Sequence, residues 1–159
     1  MRLIIDALVA LMLAGILVGV VMYNRQREEH AGQIKATREA IHQIEQHLKV
    51  QIAMEKVELT DAGWPRTIDP QWFPLQQPRN LLLSDGRPWV EVIGPQDRHL
   101  QHPRSITGDD RSLAAFWYNP YQGIIRARIP AGLTDVETVS LYNQVNSTAI
   151  SSIVSEYAR

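Results

Sequence analysis

Cysteine is absent from all 159 residues. That excludes a disulfide framework, a thiol nucleophile and a thiolate metal cage. It does not assign a compartment, because many exported domains have no disulfides. Proline is absent from the first 64 residues, and all nine prolines lie at or beyond Pro65. Nothing in that first part therefore interrupts a helix. Neither sign of charge dominates: 16 Lys+Arg stand against 17 Asp+Glu, with a pI of about 6.5. A nucleic-acid binder normally carries a basic stripe, so no nucleic-acid partner is expected. The chain also lacks a G-x-S-x-G elbow, a Walker A loop and a G-x-G-x-x-G turn. The reading is accordingly of a non-enzyme without a cofactor.

What the chain does have is one long apolar run. Residues 3–23, LIIDALVALMLAGILVGVVMY, carry a single charge, Asp6. At about 1.5 Å per residue such a helix spans roughly 30 Å, the thickness of a bilayer core. The run exceeds the roughly 7–15 apolar residues of a cleaved signal. No small-x-small site follows it, only Tyr23-Asn24-Arg25-Gln26-Arg27. A retained transmembrane helix over 1–23 is predicted. Arg2 on one flank faces Arg25, Arg27, Lys35 and Arg38 on the other, a count that by itself favours a cytoplasmic C-terminal side. An ionised carboxylate in hydrocarbon costs about 2.5 kcal/mol or more. Asp6 therefore either sits wet among headgroups or meets a cationic group on a neighbouring subunit.

From Asn24 the chain is polar but keeps a helical period, and a stalk helix over 24–58 is predicted. Ile34, Ile41, Ile44, Leu48 and Ile52 form an amphipathic stripe suited to packing on the protein's own domain. A coiled coil is the rival use, although only two heptads are clean. Glu45 and Lys49 fall in the favourable i, i+4 order. His42 and His47 do not share a face and read as solvated.

At Gly63 the texture changes. All four tryptophans and six of the nine glycines lie at or beyond this point, so residues 59–159 read as a loop-rich β-sheet head. The proline-dense segment from Trp64 to Pro74 reads as extended, with aromatics that pack on the stalk stripe. A strand is predicted at 89–93. Residues 114–129 give the best hairpin, with β-rich runs on either side of Asn119-Pro120-Tyr121-Gln122-Gly123. Proline presets φ in such a turn and Gly123 supplies a positive φ. Thr134 and Glu137 match a capping box, which predicts a helix from 135 to about 145. A last strand is expected around 149–154.

Three polar clusters read as surface features rather than sites. His99 and His102 could share a metal only with Asp97 nearby; Asp109-Asp110 sit in a turn; Arg126 and Arg128 alternate on a strand and read as a solvated sheet face. No metal site is expected.

Two regions together resemble the type IV pilin and type II secretion pseudopilin superfamily. Its mature N-terminus is similar to F-T-L-I-E-L-L-V-x-I-x-I-x-G-I-L. Here Arg2-Leu3-Ile4-Ile5-Asp6 leads into Ala7-Leu8-Val9-Ala10-Leu11, and Gly15-Ile16-Leu17 follows. With a one-residue offset at Ile5, Asp6 takes the place of the family's invariant glutamate. Placing Leu3-Ile4 on the motif's Leu-Ile instead leaves no acid in position. The hairpin Tyr118-Asn119-Pro120-x-x-Gly123 also looks like a pseudopilin head. The chain departs from the family in several ways: it shows no charged leader ending in Gly, it has Asp for Glu, and it has no proline near Tyr23. The missing disulfide is compatible with pseudopilins.

The resemblance implies an α+β fold, a long N-terminal helix packed on a small antiparallel β-sheet head. It also implies a single-pass inner-membrane subunit with a periplasmic head, against the arginine count. Asp6 would neutralise a neighbour's amino terminus, and Asp6 and Gly15 would lie at subunit contacts. The partners would be homologous pilin-like subunits or secretion machinery, in a homo- or hetero-oligomer. The alternative is a single-pass envelope scaffold or adaptor that binds a partner through its stalk helix or head.

Overall fold

In the computed structural model residues 2–153 are described, with side chains from Leu11 onward. Asp6 therefore lies outside the described side chains. The chain is α+β, with one long helix, a three-stranded sheet and a short second helix. It divides into two compact units, Met1–Gln33 and Ile34–Arg159.

Helix α1 runs over Arg2–Ala53, five residues short of the predicted end at 58. The break comes at Glu55, which takes a left-handed φ of 53°. Gly15, Gly19 and Gly32 do not interrupt α1, in keeping with a cost of only about 1 kcal/mol each. Within the first unit the side chains from Leu11 to Tyr23 are all exposed. Arg25 donates to Glu29 at 3.2 Å one turn on.

In the second unit α1 delivers the predicted stripe to the core. Ile34, Ile41, Ile44 and Leu48 are buried, whereas Ile52 is only half-buried. The seven-residue gap between Ile34 and Ile41 is filled by Thr37, which is fully buried. The true stripe thus steps 3, 4, 3, 4, the spacing of one helix face. The stripe is committed to this chain's own core, together with Phe116, Tyr118, Ile125, Tyr142 and Val145. Two expectations for the helix surface change. Glu45 lies 3.8 Å from His42, and no Glu45–Lys49 pair occurs. His47 is half-buried rather than solvated, its ring 4.4 Å from that of Phe73.

The sheet consists of β1 (Val90–Val92), β2 (Phe116–Asn119) and β3 (Ile124–Ala127), with β2 in the centre. The hairpin β2–β3 is antiparallel as predicted, with Trp117 opposite Arg126 and Tyr118 opposite Ile125. The β1–β2 pair, however, is parallel. The sheet is therefore mixed, which corrects the all-antiparallel expectation. The physical reason lies in the connection: residues 93–115 form a crossover long enough to return β2 alongside β1 in the same direction. Every residue of β2 is buried, as a central strand covered on both faces requires. Phe116 and Tyr118 enter the main core, while Trp117 joins a second cluster with Ile93 and Leu100.

Helix α2 covers Asp135–Asn146, with Thr134 as its N-cap. The Thr134 hydroxyl accepts the Glu137 amide at 3.2 Å, as the sequence predicts. Among the described residues no strand follows α2. Asn143 instead grips the chain as a loop: its Oδ1 accepts the Ile150 amide and its Nδ2 donates to the Ile150 carbonyl, both at 2.9 Å. The backbone groups of Ile150 that a last strand would offer to a neighbour are thus taken.

Short strands leave many backbone groups outside any ladder, and asparagines serve these. Asn80 uses its whole amide. Its Nδ2 donates to the Ala115 carbonyl at 3.1 Å and the Arg128 carbonyl at 2.7 Å. Its Oδ1 accepts the Leu82 amide at 3.1 Å and the Thr37 hydroxyl at 3.3 Å. Asn119 holds the Arg98 and Leu100 carbonyls at 3.0 and 2.7 Å. Asn146 covers the outer edge of β3, accepting the Ala127 amide at 2.7 Å and donating to the Ala127 carbonyl at 3.0 Å.

Truncating Asn80 to alanine strands several buried polar groups, each worth about 1–3 kcal/mol. Asn80→Ala is expected to lower head stability by about 3 kcal/mol, read by urea titration of tryptophan fluorescence on the full chain. Asn24→Ala, on the exposed part of α1, should stay within about 0.5 kcal/mol. Equal effects from the two changes would show that the Asn80 bonds hold nothing.

Candidate functional site

The predicted hairpin residues form one tightly built corner. Gly123 has a φ of +67°, a conformation that favours glycine. Its amide donates to the Asn119 carbonyl at 2.9 Å, and Asn119 Oδ1 accepts the Tyr121 amide at 2.9 Å. Pro120 is buried, and its carbonyl accepts the Thr60 hydroxyl at 2.8 Å. Tyr118 is fully buried, and its hydroxyl donates to the Pro65 carbonyl at 2.9 Å. Burial pushes this phenol well above its ordinary value, so it remains a neutral donor.

Residues 59–65 form the seat for this corner. Leu59 bridges to Pro65, and the Trp64 ring lies against Gly123 so closely that a Cβ there would meet it at 2.1 Å. Of the aromatics expected to pack on the stalk stripe, Phe73 and Trp72 do join the core it lines. Trp64 goes to the hairpin instead.

The two strand arginines are not a solvated face. Arg128 is 2% exposed, because it passes under the loops. It donates to the Ser105 carbonyl at 3.0 Å and the Ala114 carbonyl at 2.9 Å, and pairs with Glu91. Arg126 is half-buried; it donates to the Ile125 carbonyl at 3.1 Å, while its Nε has no partner. Burial holds the Arg126 guanidinium below its ordinary value.

The other polar clusters are closed by local bonds. Asp97 accepts from Arg104 at 2.7 Å, Asp109 from the Ala131 amide at 3.1 Å and Asp110 from the Ser112 amide at 2.8 Å. The bond from Ser112 holds the Asp110 carboxyl below the usual carboxylate range. His99 is exposed, whereas His102 is half-buried with Nδ1 3.1 Å from the Tyr142 hydroxyl. Among the described residues no three His, Cys, Asp or Glu side chains come together to hold a metal.

Among the described residues, Gly15 of α1 and a groove in the head offer room for a partner. Gly15 on α1 has open space where a Cβ would stand, amid exposed apolar neighbours. In the head, a groove of about 590 Å³ lies between Ala36, Ala40 and His47 of α1 and Phe73, Leu75 and Leu81 of the extended segment. Among the described residues no helix is long and apolar enough to cross a membrane. Residues 3–10 of the predicted span lie outside the described side chains. Comparison with protein families, curated proteins and solved structures finds no match to this chain.

Two glycines with positive φ separate backbone strain from steric exclusion. Gly86 has a φ of +83° with nothing near its Cβ position, whereas Gly123 has both a positive φ and the Trp64 ring. Gly86→Ala should cost about 1 kcal/mol. Gly123→Ala should cost about 3 kcal/mol, because the ring must also move. Thermal melts of the two variants test this, and equal losses would mean that Trp64 is not seated on the turn.

Proposed function

We propose that the chain is a membrane-anchored structural subunit of a pilin-like or pseudopilus assembly, with its head in the periplasm. The observation that carries this reading is the first part of α1. Ten large apolar side chains between Leu11 and Tyr23 are each more than half exposed. At about 1.5–3 kcal/mol per buried side chain, leaving them in water forgoes on the order of 20 kcal/mol. Lipid or neighbouring helices must cover them. No stripe distinguishes one side of this stretch, in contrast to residues 34–48 of the same helix, so a bilayer suits it better than a single partner face.

In this reading residues 3–23 hold the subunit in the inner membrane. Subunits then stack through these helices, Gly15 permits close approach, and Asp6 compensates a neighbour's amino terminus. A misplaced pair would leave a bare charge in a low-dielectric setting, so it fixes register. The role is mechanical, without catalysis or cofactor. The resemblance in residues 2–17 and in the Tyr118–Gly123 hairpin supports the superfamily assignment. The mixed sheet is a finer difference that the assignment must accommodate.

The second reading, a single-pass envelope scaffold, draws on the groove beside Phe73 as a docking place in the head. The stalk stripe is not open to it, since Ile44 and Leu48 are fully buried in the chain's own core.

Asp6 decides between the two. Asp6→Ala is expected to leave membrane insertion intact while reducing subunit cross-linking in the membrane at least tenfold, with Asp6→Glu restoring it. Fractionation and cross-linking of the full chain measure both. Unchanged cross-linking in Asp6→Ala would favour the simple tether.

A further inference from the structure

The groove beside Phe73 has two walls, each fastened to the core of the head. One wall is α1 from Ala36 to His47, and the other is the segment from Phe73 to Leu81, which runs in the opposite direction. At one end the Phe73 ring lies 4.4 Å from that of His47; at the other the Leu81 amide donates to the Thr37 hydroxyl at 3.2 Å. Between them the Trp89 indole donates to the Pro78 carbonyl at 2.9 Å. The groove is thus formed before anything enters it, and binding need not first order its walls.

We propose that it is a docking site for an extended segment of another protein, apolar and uncharged along its middle, with a lysine or arginine at the end beside Glu39.

Width sets the backbone of the occupant. Ala36 to His47 is about 16 Å of helix, so a volume of about 590 Å³ leaves a channel roughly 6 Å across. A helix with its side chains is about 10–12 Å across and cannot enter, whereas a single strand takes about 4.8 Å beside its neighbour. The lining supplies what such a strand needs. Among the described residues, the side-chain amides of Gln43, Gln76 and Gln77 have no hydrogen-bond partner, and neither do the backbone groups of Gln76 and Gln77. Amides of this kind serve the donors and acceptors of an incoming backbone. Apolar contact comes from Ala36, Ala40 and Phe73, and from Leu75, which is 99% exposed and has no cover from its own chain.

Charge sets the end. The titratable side chains of the lining are Glu39, His47 and Arg79. Arg79 is paired with Asp85, and His47 Nδ1 lies 3.0 Å from the Gln43 carbonyl. Glu39 has no ion pair among the described residues, Lys35 one turn back included. The uncompensated charge of the groove is therefore negative and stands near the end where Leu81 meets Thr37, and a cation on the occupant complements it. A second copy of this chain fits badly. Leu133 and Val136, its most exposed apolar side chains elsewhere in the head, stand beside Asp135 and Glu137, which Glu39 would repel. The site rests on the groove alone, whichever role the apolar stretch of α1 serves.

The test is selection from a displayed library of random heptapeptides on the full chain in mild detergent, with empty micelles as the blank. Enriched peptides should carry an uncharged apolar run with a lysine or arginine at one end. Selection on Glu39→Lys should replace that basic residue by an acidic one. A selected peptide, followed by fluorescence anisotropy, should bind Glu39→Lys about tenfold more weakly than the wild type, because reversal turns an attraction into a repulsion. Gln43→Leu should also weaken it, and Asp135→Asn should not. Glu39 and Gln43 are exposed, so both variants keep the fold, which an unshifted urea midpoint checks. The proposal is overturned if nothing is enriched above the blank, if the enriched peptides lack the basic end, or if Glu39→Lys selects the same sequences. It is also overturned if the wild type self-associates in sedimentation and Glu39→Lys or Gln43→Leu abolishes this, since the occupant is then a second copy. The selection reads only the groove, so its failure leaves the Asp6 test untouched.

Discussion

Asn80 ties together three parts of the head that share no hydrogen-bonding ladder. Its amide reaches helix α1 through the Thr37 hydroxyl, the turn at Leu82, and the open end of the hairpin at Ala115 and Arg128. The need for such a residue follows from the sheet itself. Strands of three and four residues supply few ladder bonds, and the connections that dominate the head carry backbone groups that cannot be buried unpaired. A short amide with two donors and two acceptor lone pairs is the smallest side chain able to serve several such groups at once. Asn119, Asn143 and Asn146 repeat the solution at the crossover loop, at the exit of α2 and at the β3 edge. Four of the chain's five asparagines are used in this way.

The same logic shows which parts of the fold were legible in sequence. Local signals served well: the proline-free helix, the Asn-Pro-Tyr-Gln-Gly turn and the Thr134 cap each specify structure within a few residues. The parallel register of β1 on β2 was hidden, because it depends on a long crossover whose path no local pattern records. An apolar stripe alone does not mark Thr37, yet the 3, 4, 3, 4 spacing places it on the buried face. Its hydroxyl accepts the Leu81 amide at 3.2 Å and bonds to Asn80, so a polar residue is what the position needs. The arginines misled for a related reason. Period-two alternation sets a side of the sheet but not what lies over it, and here loops cover that side, so that Arg128 had to find Glu91 and two carbonyls.

At the candidate contact residues the division is similar. Gly123 was readable from its turn, but its close neighbour Trp64 comes from a segment with no periodicity. Gly15 could be placed on the helix but not given a partner, since a glycine flanked by apolar residues records only that close approach is possible. Asp6 stands out in sequence because charge is so rare in its surroundings, which is a statement about cost rather than about what compensates it.

Helix α1 uses one backbone conformation for two unlike surroundings, and the pattern of its side chains separates them. Between Ile34 and Leu48 the apolar positions keep to one face, and that face is buried by the chain's own head. Between Leu11 and Tyr23 they occupy every side and are exposed. Withdrawing the stripe to pair with a partner helix would uncover Ile44 and Leu48 at about 2–3 kcal/mol each, with the loss of Thr37's bonds in addition. Head stability of only about 5–15 kcal/mol leaves little room for that. Any association through α1, as the proposed reading requires, would therefore fall to the apolar stretch, whose side chains are exposed. In the pilin-like reading proposed above, such a subunit would pass from lipid into an assembly with its head still folded, because the two stretches of the helix are built for different surroundings.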